Sequence, residues 1–155
     1  MWQGLVVLAA ARAAEAGCEQ YQVVKTTQET IRQMRALALL DTIKYITKRG
    51  RVGNAISGVE SILDLKTLLT LRDGVLRPAG VTRTRSKGIG RLREFIKSAL
   101  HIEELAIVYS TTPDDAQKSS DDTINLIPNL VPKIVRLGPG LGVHAGPGAI
   151  IAVVR

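Results

Sequence analysis

Near the start of the chain, Leu5, Leu8, Ala9, Ala13 and Ala16 recur mostly three and four residues apart. That period places them on one face of an amphipathic helix, predicted over about 2–16 and ended by Gly17, a residue suited to a C-cap. The same stretch, followed by Cys18, superficially looks like an export signal. No positive charge precedes the apolar run, and Arg12 and Glu15 stand where a cleavage region is small and neutral, so the helix is the better reading. Thr26 with Glu29 three residues later fits a capping box and predicts a second helix from about Thr26, with Ile31, Met34 and Leu37 as its buried stripe. ALALLD, ending at Asp41, suits either a buried strand or the end of that helix. Asp41 or Thr42 then caps a short helix, TIKYITKRG, which stops at Gly50 with Lys48 and Arg49 complementing its negative end. GNAISGVESILD reads as a further helix with Ile56, Val59, Ile62 and Leu63 on one side.

TLLTLRDGVLRPAGVTRTR carries the clearest local signal. Asp73-Gly74 separates two runs rich in Leu, Val and Thr, which predicts a hairpin with a tight turn. Pro78 demotes the second strand or starts its bend. GIGRLREFIKSAL follows as a basic amphipathic helix with Ile89, Leu92, Phe95 and Ile96 inward, and ELAIVYSTT as a strand. Pro113, Asp114 and Asp115 suit the first turn of another helix, a weak one, because SSDD at 119–122 reads as a polar loop. In the tail, two β-rich runs flank the glycine-dense segment Leu137–Ala149, read as a loop. Strands and helices alternate irregularly around one clear hairpin, so the expectation is an α/β fold with a mixed sheet covered by helices.

At 155 residues the chain is one domain or a piece of a larger protein. Its hydrophobic share of 45% can build a core, and with aromatics at 3% that core must be aliphatic. The net charge of +7 suits anionic partners without choosing among them. Few aromatics weaken a reading as a single-strand nucleic-acid binder, which needs stacking platforms. One cysteine and two histidines exclude an internal disulfide framework and zinc sites of four cysteines or of two cysteines with two histidines. No apolar run approaches the length of a transmembrane helix, and reading the N-terminal stretch as a helix rather than an export signal leads to the expectation of a cytoplasmic protein.

Among chemistry-bearing segments, the loop LGPGLGVHAGPGA combines close backbone approach with His144, a donor for a carboxylate or phosphate. Its glycines fit neither GxGxxG nor a Walker loop. In TRTRSK, Arg83 and Arg85 would share one face of a strand, which suits an oxyanion or a solvated, charge-protected edge. The basic helix bearing Arg91, Arg93 and Lys97 lacks the turn-linked partner helix of a DNA reader. KRGRVG, Lys48 to Gly53, could hold phosphate, or cap its helix and pair with Asp41 or Asp64. No GxSxG elbow occurs and Cys18 has no histidine nearby in sequence, so an active site contained in this chain is not supported.

Four segments, taken in order, resemble the C-terminal half of a DegV-family protein: DTIKYITKRGRVG, SILDLKTLLTLRDGVLRPAGVTRTRSKG, AIVYSTTPDDA and LGPGLGVHAGPGA. The resemblance covers nearly the whole chain, and the last segment is the most specific. It implies a two-layer α/β sandwich with a mixed sheet of about six strands, spanning 1–155, with the family's N-terminal domain absent from this chain. It implies a bacterial, non-enzymatic module that binds one long-chain fatty acid, needs no cofactor beyond that ligand, and in some members presents the carboxylate to a separate fatty acid kinase. His144 matches the family histidine near the carboxylate, with Gly146 beside it. Arg83 looks like the first arginine of a basic motif linked to ligand phosphate or the kinase, with Arg85 as the fallback. Gly50 and Arg51 match a pair of structural role. Ile56, Val59, Ile62 and Leu63 fall in the helix expected to flank the acyl tail. Thr67 and Gly88 depart from the family's usual proline and alanine, and the serine and threonine of the N-terminal domain are missing. The competing readings are a basic nucleic-acid-binding domain and an inactive fragment with exposed apolar surface.

Overall fold

The computed structural model describes residues 1–47, 65–72, 74–99, 101–127 and 129–155. Six strands form a single sheet in the order β3-β2-β1-β6-β4-β5. In chain order the elements are α1 (Trp2–Glu15), α2 (Gln20–Gln33), β1 (Arg35–Leu40), α3 (Lys44–Thr47), β2 (Lys66–Arg72), β3 (Val75–Thr82), α4 (Arg85–Ser98), β4 (Leu105–Tyr109), α5 (Pro113–Leu126), β5 (Lys133–Arg136), α6 (Pro139–Ala145) and β6 (Ile150–Val154). β4 and β5 pair in parallel, and the other described pairs are antiparallel. The mixed six-stranded α/β sheet is the one the sequence predicts.

Strand alternation divides the core. Leu39, Leu68, Leu105, Ile107, Ile150 and Ala152 point to one face, where they pack against Leu92 and Ile96 of α4 and Ala116 of α5. Ala36, Ala106 and Val153 point to the other face, under Leu5 and Val6 of α1. Farther along that second face, Leu40 and Leu69 meet Ile46 of α3 and Ala145 of α6. Burying each Leu, Ile or Val among them contributes about 1.5–3 kcal/mol, and the alanines let the helices come close to the sheet. Gly88 is where α4 touches the sheet: a Cβ there would run into the Leu39 side chain.

The hairpin forms as predicted, with Arg72 opposite Val75 and Gly74 at φ +74°. Pro78 lies on β3, an outer strand, where its missing N–H breaks no interior ladder. The register shifts between Leu68, opposite Gly80, and Leu69, opposite Pro78, so Ala79 is bulged out.

Three local expectations fail, each for a definable reason. The second helix begins at Gln20, six residues before Thr26, because Glu19 and Gln22 make the capping box reciprocally. It ends at Gln33, so Met34 is its C-cap and Leu37 belongs to β1, which settles ALALLD as a strand. SSDD is helical: Ser119 and Thr123 donate their hydroxyls to the carbonyls of Asp115 and Ser119, each one turn back. Part of the glycine-dense segment is the helix α6, and only Gly146 and Gly148 of its five glycines have positive φ. The KRGRVG segment and the helix carrying Ile56, Val59, Ile62 and Leu63 lie outside the described residues.

Candidate functional site

The ends of several elements converge where β1 finishes. β1 delivers Asp41, β4 delivers Ser110, α4 and α5 start there, and the turn Gly146-Pro147-Gly148 joins α6 to β6. Arg85 ties these pieces together. Its Nε donates to Asp115 Oδ2 at 2.6 Å, and its Nη2 to Thr112 Oγ1 at 3.0 Å. Its Nη1 donates to Asp41 Oδ1 at 2.8 Å and to the Gly148 carbonyl at 2.7 Å. A planar guanidinium is the side chain able to satisfy four acceptors in this fork. The shared strand face expected for Arg83 and Arg85 does not exist: β3 ends at Thr82, Thr84 caps α4 by accepting from the Lys87 N–H, and Arg85 is the first helical residue.

The turn is held from the other side as well. Gly148 N–H donates to Thr111 Oγ1 and Ala149 N–H to Ser110 Oγ, both at 2.9 Å. Both glycines sit at φ near +74°, where other residues are strained. A Cβ on Gly146 would occupy the ring of Tyr45, and one on Gly148 the carboxylate of Asp41. GPG is therefore a turn whose glycines are required by both dihedral and contact.

Beside this turn lies an open cleft of about 480 Å³, with Tyr45, Leu137, Val143, Gly146 and Pro147 among its walls. Leu141 and Val143 on α6 are exposed, and so is Tyr45. His144 belongs to the last turn of α6, between cleft-lining Val143 and Gly146. Its Nδ1 is shut off from solvent and has no hydrogen-bond partner among the described residues. Arg83 is exposed and makes no ion pair among the described residues. The structure thus puts Gly146 in the cleft wall, sets His144 on the helix behind that wall with its Nδ1 turned away from solvent, and leaves Arg83 just outside the Arg85 network. Sequence reasoning missed Asp41, Asp115, Thr112 and Tyr45. Thr111-Thr112 before Pro113, with Asp115 in the following first turn, was the available signal, but its partner lies about 30 residues away on α4.

The basic face of α4 is partly neutralised. Arg91 pairs with Glu94 at 3.2 Å and Arg93 with Asp122. At the far end of the sheet, buried Glu104 collects Arg12 at 2.8 Å, Lys133 at 3.3 Å and Arg155 at 3.5 Å. Burial pushes its carboxyl up, but hydrogen bonds from Arg12 and Lys133 and their positive charge outweigh this and hold it below the usual carboxylate range. No group of three His, Cys, Asp or Glu able to hold a metal occurs among the described residues, and no described helix is long and apolar enough to cross a membrane.

Comparisons with known proteins give this arrangement a context. A DegV domain-containing protein of Streptomyces coelicolor is 32% identical over 154 residues, covering 97% of this chain and 55% of that protein. The chain thus spans about half the length of the curated relatives it matches. A crystal structure of a fatty acid binding DegV family protein from Streptococcus agalactiae has the same fold, with a TM-score of 0.86 at 24% identity over 98% of this chain and 55% of that one. A DegV family protein from Eubacterium eligens, loaded with heptadecanoic acid, gives 0.85 at 17% identity over 97% and 55%. The model of the DegV family, described as uncharacterised protein, matches residues 1–154, and the chain belongs to that family.

Proposed function

We propose that this chain is the lipid-binding half of a DegV-type fatty-acid carrier. In this reading a long-chain fatty acid lies with its carboxylate at His144 and the Gly146 turn and its tail along apolar surface of the same sheet face. The observation that carries the reading is the orphaned Nδ1 of His144, on the helix that walls an open cleft where Leu137, Val143 and Pro147 stand with Ser110, Thr111 and the exposed Arg136. A buried polar atom without a partner is costly, so the ring gains by turning Nδ1 toward the cleft, where a bound carboxylate would accept from its N–H. Each methylene withdrawn from water adds about 0.8 kcal/mol, so long chains are favoured. The Streptococcus protein, described as fatty acid binding, and the Eubacterium protein, loaded with heptadecanoic acid, support the ligand class.

The remaining carboxylate donors come from outside these 155 residues, in the domain that the longer relatives carry. Ile56, Val59, Ile62 and Leu63 are the residues proposed along the tail. Arg83, exposed one residue before the cap of α4, is the group proposed to meet a phosphorylated head or a separate kinase. The chain acts as a binding module, and any phosphoryl transfer is done by that partner.

Native mass spectrometry of the purified chain incubated with heptadecanoate tests the reading. The expected result is one acyl adduct whose affinity falls at least tenfold in His144→Ala. No adduct, or an adduct indifferent to His144→Ala, overturns it.

A further inference from the structure

The start of β1 carries a second cavity, at the end of the strand remote from Asp41. β1 and β2 pair from Leu40↔Thr67 to Leu37↔Thr70 and no farther, although β1 reaches back to Arg35 and β2 runs on to Arg72. Thr70 Oγ1 donates to the Ala36 carbonyl at 2.9 Å, so a side chain replaces the backbone ladder at the last contact. Beyond it the strands part, and a cleft of about 870 Å³ opens between them, α1 and the C-terminal end of α2. That volume is within the range of small-molecule sites, about 300–1,000 Å³. An α-helix, about 10 Å across, would fill it within two turns, so the space suits a compact ligand better than a docked helix.

The walls are apolar and the rim is cationic. Trp2 and Phe95, the one tryptophan and the one phenylalanine of the chain, both line the cleft, with Ile31, Met34 and Leu37. Arg32, Arg35 and Arg72 line it too. All three are exposed, and none has an ion-pair partner among the described residues. Arg35 lies over the Phe95 ring, its Cζ 5.2 Å from the centroid, which holds one guanidinium against an apolar wall. No Asp or Glu occurs among the described lining residues. Three guanidiniums without an ion pair among the described residues, lining the same cleft as Trp2 and Phe95, complement one chemistry: a phosphate or carboxylate on a short apolar body.

We infer that the splayed β1–β2 end is a binding site for a compact amphiphilic anion, separate from the cleft beside His144. The head group is held by Arg32, Arg35 and Arg72, and the apolar body lies against Trp2 and Phe95. The site does not depend on the fatty-acid reading, since the two clefts share no lining residue.

Trp2 is a built-in reporter, because no other tryptophan contributes to emission. The purified chain is titrated with hexyl phosphate, with heptanoate, and with hexanol and inorganic phosphate as half-ligands. The expected result is a saturable change in Trp2 emission with hexyl phosphate or heptanoate, the tighter of the two identifying the head group. Hexanol and inorganic phosphate should bind at least tenfold more weakly. Arg32→Gln with Arg72→Gln, both exposed and remote from the core, should weaken the response at least tenfold with the circular dichroism spectrum unchanged, while His144→Ala leaves it intact. Absence of a saturable Trp2 response overturns the assignment. So does equal binding of either half-ligand, indifference to the arginine substitutions, or loss of the response in His144→Ala. A response to an acidic peptide alone overturns it in favour of a protein contact.

Discussion

Arg85 at one end of β1 and the arginines around Arg35 at the other are used in opposite ways. At the Asp41 end, Arg85 spends four hydrogen bonds on Asp41, Asp115, Thr112 and the Gly148 carbonyl and has little left for a ligand. At the Arg35 end, Arg32, Arg35 and Arg72 surround a cavity with no acid among its described walls. The contrast holds even within the second end, where Glu104 gathers Arg12, Lys133 and Arg155 close by. A satisfied cation fixes geometry, and an unsatisfied one beside apolar surface is available for recognition. Net charge alone says nothing about which is which.

The comparison can be broken first at the turn. Gly148→Ala puts a side chain into the Asp41 carboxylate at φ +73° and displaces the carbonyl that Arg85 holds. A loss of about 4 kcal/mol is expected in urea unfolding, from backbone strain and overpacking together. Arg85→Ala should cost about 3 kcal/mol by removing the cation that two half-buried carboxylates share, with Lys66 at 3.8 Å left to Asp41 alone. Asp41→Asn in the Arg85→Ala background should recover part of that loss, which a purely steric role would not allow. Gly88→Ala, which drives a methyl into Leu39, should cost about 2 kcal/mol and leave both clefts intact.

Glu104 sharpens the contrast through pH. Its pKa is lower in the folded chain than in the unfolded one, so the folded state binds fewer protons. Its contribution is therefore present above the unfolded carboxylate pKa of about 4.3 and is lost as pH falls through the lowered folded value. Unfolding free energies measured from pH 7 down to pH 3 should fall more steeply for the native chain than for Glu104→Gln. The smallest effect belongs to Arg91→Ala. Its pair with Glu94 is exposed on both sides, and the loss should stay under about 0.5 kcal/mol.

Much of the fold was legible in the sequence because its signals are local. The Leu/Thr/Val runs around Asp73-Gly74 specify the hairpin, Gly17 at φ +79° ends α1, and Leu92 and Ile96 mark the buried face of α4. The errors came where the local signal had unusual chemistry. Glu19 caps α2 in place of the expected threonine, and the hydroxyls of Ser119 and Thr123 fold back on their own helix. The site was half legible. His144 and the GPG turn stand out because glycine and histidine are conspicuous in sequence. The Arg85 network does not, because it joins positions 27, 30, 44 and 63 residues apart, and no periodicity records such pairings. The β1–β2 splay was invisible for the same reason: only the register shows where pairing stops.

The pairing of β1 with β6 also sets an order of events during synthesis. Residues 35–39 find their partners at 150–154, on a strand translated more than a hundred residues later. While the ribosome is still at work, the nascent chain can close units nearer in sequence, among them the α1–α2 pair, the β2–β3 hairpin and the β1–β2 pair. Leu37 and Leu39 then stand on a strand with one side unpaired until β6 emerges, and in that interval the open edge is the place where a wrong partner can attach.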